Sequence, residues 1–313
     1  MISSSQMLSH TAMNDILKSC ELCPRRCGAD RTKTVGFCGG GALPRLAKAY
    51  LHMWEEPCIS GTRGSGCSLK CCFCQNYRIS AENFGKEISV SRLAEIFLEL
   101  QDKGAHNINL VSATHYVPQV IEALDLCKGR LNIPVAYNSG GYELPETIEM
   151  LRGYVDIFMP DFKYYDSEIS EKYSAAKDYF SYASAAIGKM IEIAGKPVYD
   201  ENGLMKSGVI IRHMVLPSHR KDSEKILRTI AEMYPKDSYL LSLMSQYTPM
   251  PGLTKFPELM ERIDARTNAR LIGYMERHGI ANGYWQEPDS ATDEMIPDFD
   301  LTGVDISVEK SDN

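Results

Sequence analysis

The sequence predicts an α/β protein made of parallel β/α units, arranged as an open sheet or a barrel. Three observations carry this. From about residue 90, short apolar runs alternate with stretches of helical periodicity. Polar residues cluster where those runs end, at the strand ends where β/α folds place their ligand groups. The chain before residue 66 has little periodicity and is rich in Gly and Cys, which marks it as an extension to that core. The resulting division is a Cys-rich extension over residues 1–60 and a β/α domain with a C-terminal helix and tail over residues 61–313.

The elements follow in order. "VSRLAEIFLELQDKG" has helical apolar spacing and a Gly stop. "NINLVSATH" reads as a buried strand and "YVPQVIEALDLCK" as a helix. "IPVAYNSGG" is a strand, "LPETIEMLRG" a helix and "VDIFMPDFK" a strand. Helix runs through "KDYFSYASAAIGKMIEIAG". "GVIIRHMVLP" is a strand, "SEKILRTIAEMY" a helix and "SYLLSLMSQYTP" a strand. "PELMERIDARTNARLIGYMERHG" reads as one long amphipathic helix. The strands end in Ser112, Thr114 and His115, then in Asn138, Ser139, Gly140 and Gly141, then in Asp161 and Lys163. The next carries Arg212 and His213, and the last ends in Ser245, Gln246 and Tyr247. Asp161 and Lys163 are two apart and share a strand face.

Composition narrows the function. The chain has 313 residues and a formal charge of −7. No basic run is present, which disfavours a nucleic-acid partner. No apolar stretch approaches ~18 residues, so no membrane span is expected, and the first residues lack a signal-peptide layout. A cytoplasmic location follows as the expectation. Nine of the ten cysteines precede residue 75. In a reducing compartment such thiols read as metal ligands rather than disulfides.

The densest stretch is "GSGCSLKCCFCQNYRIS", with Cys67, Cys71 and Cys74 at three- and two-residue intervals and Cys72 between them. Iron–sulfur clusters are held by thiolates, normally four. Three would leave an open metal position, which catalytic sites keep and structural sites close. The alternative is zinc, with Cys72 or an N-terminal cysteine as the fourth ligand. A second set, Cys20, Cys23, Cys27 and Cys38, suggests a closed site for zinc or a second iron–sulfur cluster; free buried cysteines are the alternative there. Cys58 reads as a small apolar residue, with an extra ligand as the alternative, and Cys127 as a core residue.

The cysteine loop, with Phe73 beside its last thiol, resembles the signature of the radical S-adenosylmethionine enzymes. "VSATHYVPQVIEAL", "YNSGGYE", "VDIFMPDFKYYD", "IIRHMVLP" and "NGYWQE" are similar to the pyruvate formate-lyase activating enzyme-like branch, and the resemblance runs from about Cys20 to Asp305. It implies a partial six-stranded β/α barrel, a 4Fe-4S cluster on Cys67, Cys71 and Cys74, and reductive cleavage of S-adenosylmethionine to a 5′-deoxyadenosyl radical. It implies cofactor contacts from Phe73, Thr114, His115, Asn138, Ser139, Asp161, Lys163 and Arg212. Many relatives carry a Gly-Gly-Glu loop where this chain has Ser112–His115, so Thr114 or backbone carbonyls would serve here, and "NSGGYE" comes one strand too late to replace it. An electron donor such as flavodoxin or ferredoxin is implied. The substrate expected is a protein of the glycyl radical type. The alternatives are a peptide or small-molecule substrate, or metal binding without catalysis. Relatives also have a hydrophobic strand just before the first cluster cysteine, whereas Gly66 here precedes Cys67 directly. Residues 46–54 are expected to stand in for that first barrel strand, with residues 61–66 as the crossover, unless the barrel is damaged.

Overall fold

The structure is a computed structural model describing residues 15–51, 62–64, 66–250, 253–285 and 298–305. Cys58 lies outside the described residues. The strands are β1 (Arg45–Lys48), β2 (Thr62–Gly64), β3 (Lys86–Glu87), β4 (Ile108–Val111), β5 (Val135–Ser139), β6 (Ile157–Pro160), β7 (Val198–Tyr199), β8 (Met205–Met214), β9 (Leu240–Met244) and β10 (Gly283–Trp285). The principal helices are α1 (Tyr77–Ser80), α2 (Val90–Asp102), α3 (Val117–Leu126), α4 (Pro145–Glu149), α5 (Ser167–Ser174), α6 (Tyr179–Ala194), α7 (Arg220–Met233) and α8 (Ala265–Arg277).

Parallel pairings run β2–β4–β5–β6–β8–β9–β10. Among the described residues the two ends of this run do not pair, so the sheet is a partial barrel, as expected. Every residue of β5 and β6 is buried. That suits strands of a parallel sheet covered on both faces; β6 is apolar throughout, whereas β5 ends in the polar Asn138 and Ser139. Helix starts are set locally. Ser89 accepts a hydrogen bond from the Arg92 amide at 3.1 Å and caps α2. No helix among the described residues is long and apolar enough to cross a membrane.

The structure corrects two expectations. The first-strand position is taken by Thr62–Gly64, assigned above to a crossover; of the residues 46–54 expected there, 46–48 belong to β1 and 52–54 lie outside the described residues. Thr62 pairs with Leu110 and Arg63 with Val111. The strand is only three residues long, too short to show a period. β1 lies outside it, antiparallel, with Leu46 opposite Gly64, and β3 pairs in turn with β1. The edge at Ile108–Val111 is therefore paired, and the cysteine loop leaves the carboxyl end of a genuine first strand. The long C-terminal helix is also broken. Pro257–Leu259 forms a separate 3-10 turn. Asp264 then accepts from the Thr267 amide at 2.8 Å and starts α8 afresh. An Asp side chain bonded to a backbone amide two or three residues on favours a cap over a continuous helix.

The turn after β5 fixes the spacing between the ends of β5 and β6. Gly141 has φ +78°, and a Cβ built there would run into the Asp161 carbonyl oxygen. Replacing Gly141 by Ala should therefore destabilise the protein by more than about 1 kcal/mol, read from the midpoint of chemical denaturation. An unchanged midpoint would show that the turn can shift without cost.

Candidate metal and cofactor site

Four polar strand ends face the cysteine loop across the mouth of the sheet. The parallel register sets Ser139 beside Pro160 and joins Asp161 to Arg212 through an isolated bridge. β6 and β8 are neighbours in the sheet although β7 intervenes in the chain, so Asp161 and Arg212 meet directly. Arg212 Nη2 lies 2.8 Å from Asp161 Oδ1 and donates to Asn138 Oδ1 at 2.5 Å. Lys163 Nζ donates to Asp161 Oδ2 at 2.5 Å. Burial works against the Asp161 charge, but Arg212 and Lys163 overcome it and hold the carboxyl below its ordinary range. Two cations thus share one carboxylate in a buried place. His213 points to the opposite strand face, as alternation requires. Burial pushes its pKa down to about 4, and its Nδ1 lies 2.7 Å from the Phe162 carbonyl. A carbonyl can only accept, so the neutral ring carries its proton on Nδ1.

The cysteine loop is held from several elements. The Cys72 amide donates to the Tyr173 carbonyl at 2.8 Å, and the Gly66 amide to Ile79 at 2.8 Å. Each of the three spaced sulfurs receives one donor. Ser174 Oγ donates to Cys71 Sγ at 2.9 Å, Ser80 Oγ to Cys74 Sγ at 3.2 Å, and the Leu69 amide to Cys67 Sγ at 3.4 Å. Burial, with Cys71 and Cys74 beside it, pushes the Cys67 thiol up to about 12. Burial likewise raises Cys71 to about 11, against the pull of Lys163. Cys72 sits outside this pattern; besides Cys71, its charged neighbours are Glu258 and Lys172. Among the described residues no three His, Cys, Asp or Glu side chains converge on one metal ion. A 4Fe-4S cluster takes one thiolate per iron.

The Ser112–His115 loop follows β4. Ser112 has φ +57°. The Thr114 hydroxyl donates to Glu143 Oε1 at 2.7 Å, and Tyr137 Oη donates to Glu143 Oε2 at 3.3 Å. Glu143 is the site residue that sequence reasoning passed over. It is the last residue of "NSGGYE", and the fold brings its carboxylate back onto Thr114, restoring a carboxylate beside the loop from the next strand along. A Glu only two residues beyond a strand-end Gly-Gly pair was the available signal. His115 packs differently. A Cβ at Gly40 would stand 2.6 Å from its ring, and one at Gly66, where φ is +95°, also 2.6 Å. The imidazole is wedged between the N-terminal extension and the backbone leading into Cys67. Phe73 is buried with its ring edge-on to Tyr247 at 6.0 Å. Ser245, by contrast, is engaged with Asn268 at 2.6 Å.

The N-terminal cysteines also come together. Cys20, Cys23 and Cys38 are buried and Cys27 is exposed. The Cys27 and Cys38 sulfurs each lie 3.5 Å from a Cβ position built on Gly36. Cys23 lies within electrostatic reach of Cys38 and Cys20, and Cys38 within reach of Cys20 and Cys27. Cys127 is buried in the core, as expected.

Burial raises the Glu143 pKa from 4.5 to about 7. The folded protein keeps this proton where the unfolded chain has released it. Its stabilisation is therefore complete below pH 4.5 and lost as pH rises through about 7. Glu143→Gln leaves a neutral group in place. Relative to the parent, that variant should gain up to about 3 kcal/mol of stability across this window, measured by denaturation at acid and mildly alkaline pH. A stability difference that does not change with pH would mean that Glu143 is ionised throughout.

Comparison with known proteins agrees with this geometry. The family model described as the Radical SAM superfamily matches residues 62–230, from β2 through most of α7. Uncharacterized protein MJ0674 of Methanocaldococcus jannaschii is 28% identical over 284 residues, covering 85% of this chain and 77% of that protein. Among solved structures, Streptococcus suis SuiB has a TM-score of 0.51 at 15% identity, covering 72% of this chain and 48% of its own. SuiB bound to S-adenosylmethionine has the same TM-score and identity, over 73% of this chain and 50% of its own. The chain thus spans about half the length of SuiB, and at that identity the likeness is one of fold. With its three-cysteine loop at the end of the first strand and a family match over more than half its length, the chain belongs to the Radical SAM superfamily.

Proposed function

We propose that this protein is a radical enzyme that binds a 4Fe-4S cluster on Cys67, Cys71 and Cys74 together with S-adenosylmethionine, and takes a hydrogen atom from a protein of the glycyl radical type. When bound, the reduced cluster supplies the electron that splits S-adenosylmethionine into methionine and a hydrogen-abstracting 5′-deoxyadenosyl group. The observation that carries the reading is the donor set. Three thiols on one loop each accept a single N–H or O–H, and a fourth thiol stands aside. Hydrogen bonds to the sulfurs are among the levers that tune such clusters. These residues fit the cofactors the family uses.

The remaining side chains take roles consistent with their placement. Lys163 and Arg212 share Asp161, which leaves a surplus positive charge suited to the carboxylate of S-adenosylmethionine. Thr114 and Glu143 form a polar pair suited to its ammonium group. Phe73, Asn138 and Ser139 would line its adenosyl or ribose side. His115 holds the Ser112–His115 loop against the cluster loop and shapes the pocket by packing. A small electron carrier such as flavodoxin or ferredoxin would reduce the cluster. The assignment to the activating-enzyme branch and the protein substrate rest on the sequence resemblance.

Anaerobic reconstitution with iron and sulfide, then addition of S-adenosylmethionine and dithionite, should yield 5′-deoxyadenosine. Cys71→Ala should abolish both the cluster and the product, while Cys72→Ser should leave both largely intact. Cleavage surviving in the Cys71 variant would overturn the cluster assignment. The substrate reading is tested separately with a glycyl radical-type protein carrying α-deuterated glycine. Deuterium should appear in 5′-deoxyadenosine, and cleavage without transfer would reject that substrate class alone.

Lys163→Met removes one charge-assisted contact while leaving the thiols untouched. It should weaken S-adenosylmethionine binding about 10- to 100-fold at unchanged iron content, as measured by calorimetry. Unaltered affinity would make the Asp161–Lys163 pair purely structural.

A further inference from the structure

Among the described residues, a buried guanidinium in the N-terminal extension has no carboxylate partner. Arg31 is 1% exposed. Its Nε donates to the Gly40 carbonyl at 3.1 Å and its Nη2 to Gly41 at 2.6 Å. Its Nη1 donates to the His115 carbonyl and faces Cys20 Sγ at 3.8 Å. The plane also stands over the Tyr116 ring, 5.4 Å from its centre. None of these partners is a carboxylate. Arginine cannot shed its proton in a protein, and a buried charge is paired or else very costly. The acidic groups around it are thiols: Cys20 by contact, and Cys27 and Cys38 by electrostatic reach. The arrangement makes sense when those sulfurs are thiolates, and several thiolates packed together require a metal.

The donor set limits the kind of centre. Four thiolates close a site for zinc or for an iron–sulfur cluster, and the other cysteine set of this chain is of the cluster-binding kind. Gly36 presents backbone alone to the Cys27 and Cys38 sulfurs, each 3.5 Å from where its Cβ would stand. We propose that Cys20, Cys23, Cys27 and Cys38 hold a second iron–sulfur cluster, closed by four protein thiolates, with Arg31 as its buried counter-charge. Through its bond to the His115 carbonyl, Arg31 joins this centre to the Ser112–His115 loop of the first site.

The test removes the first site. Full-length protein carrying Cys67→Ala, Cys71→Ala and Cys74→Ala is reconstituted anaerobically with iron, sulfide and zinc all present, and its metals are counted. About four irons per chain, with a cluster-type electron paramagnetic resonance signal on reduction, are expected. One zinc in place of iron, or a folded chain without metal, would overturn the proposal. If the triple variant does not fold, the parent protein should carry about eight irons and Cys23→Ala about four; a parent holding only about four would overturn it equally. Redox titration supplies a readout specific to Arg31. Net charge sets cluster potentials, so Arg31→Met should shift the midpoint of the second cluster to a lower potential. An unmoved midpoint would remove Arg31 from the role of counter-charge.

Discussion

Three thiols at fixed spacing must be held in place by a loop with almost no regular structure of its own. Everything else at the mouth of this sheet depends on that constraint. The loop satisfies it by borrowing backbone partners from three other segments. Cys67 donates its amide to the Cys38 carbonyl at 3.3 Å, Lys70 to Ser174 at 3.3 Å, and Cys72 to Tyr173 at 2.8 Å, while Gly66 leans on Ile79. Arg25 adds a bond from its Nε to the Ser68 carbonyl at 2.9 Å. The N-terminal extension, α5 and the turn after the loop therefore all have to be in place before the sulfurs are. Each of these bonds is worth about 1 kcal/mol alone, so it is their number and their separate origins that fix the geometry.

The charges follow the same logic. Lys163 lies close enough to the loop that its charge opposes the burial of both Cys67 and Cys71. Asp161 keeps Lys163 and Arg212 together in a place where either cation alone would be expensive. Farther back, Arg31 does for the N-terminal thiols what Lys163 does for the loop. One pattern is used twice: buried sulfur beside a buried cation. In both places the cation also reaches a strand-end segment, through Asp161 in one and through the His115 carbonyl in the other.

Much of this was legible in the sequence, and the exceptions have physical reasons. The five longer parallel strands and most helices announced themselves because buried parallel strands carry apolar runs, with polar residues gathered near their ends, and their helices are amphipathic. β2 did not, since "TRG" has neither length nor pattern and is a strand only because β4 offers it an edge. α5 was also missed: "SEISEKYS" is polar, and its start is fixed by Asp166 accepting from the Glu168 amide at 2.9 Å. At the site, the cysteine spacing and the Asp161–Lys163 pair were visible because local spacing alone creates them. Glu143 and Arg31 were not, because their meaning lies in partners 29 and 84 positions away. Long-range polar contacts leave no periodic trace.

The central claim is that Cys67, Cys71 and Cys74 hold a cluster with one iron left open to the cofactor. The direct measurement is electron paramagnetic resonance of the reduced protein, with the N-terminal cysteines replaced so that one cluster is observed. The account predicts that the signal changes shape when S-adenosylmethionine is added, because the cofactor's amino and carboxylate groups would occupy the open iron, and that Cys71→Ala removes the signal altogether. A cluster signal that is unaltered by saturating S-adenosylmethionine would contradict it.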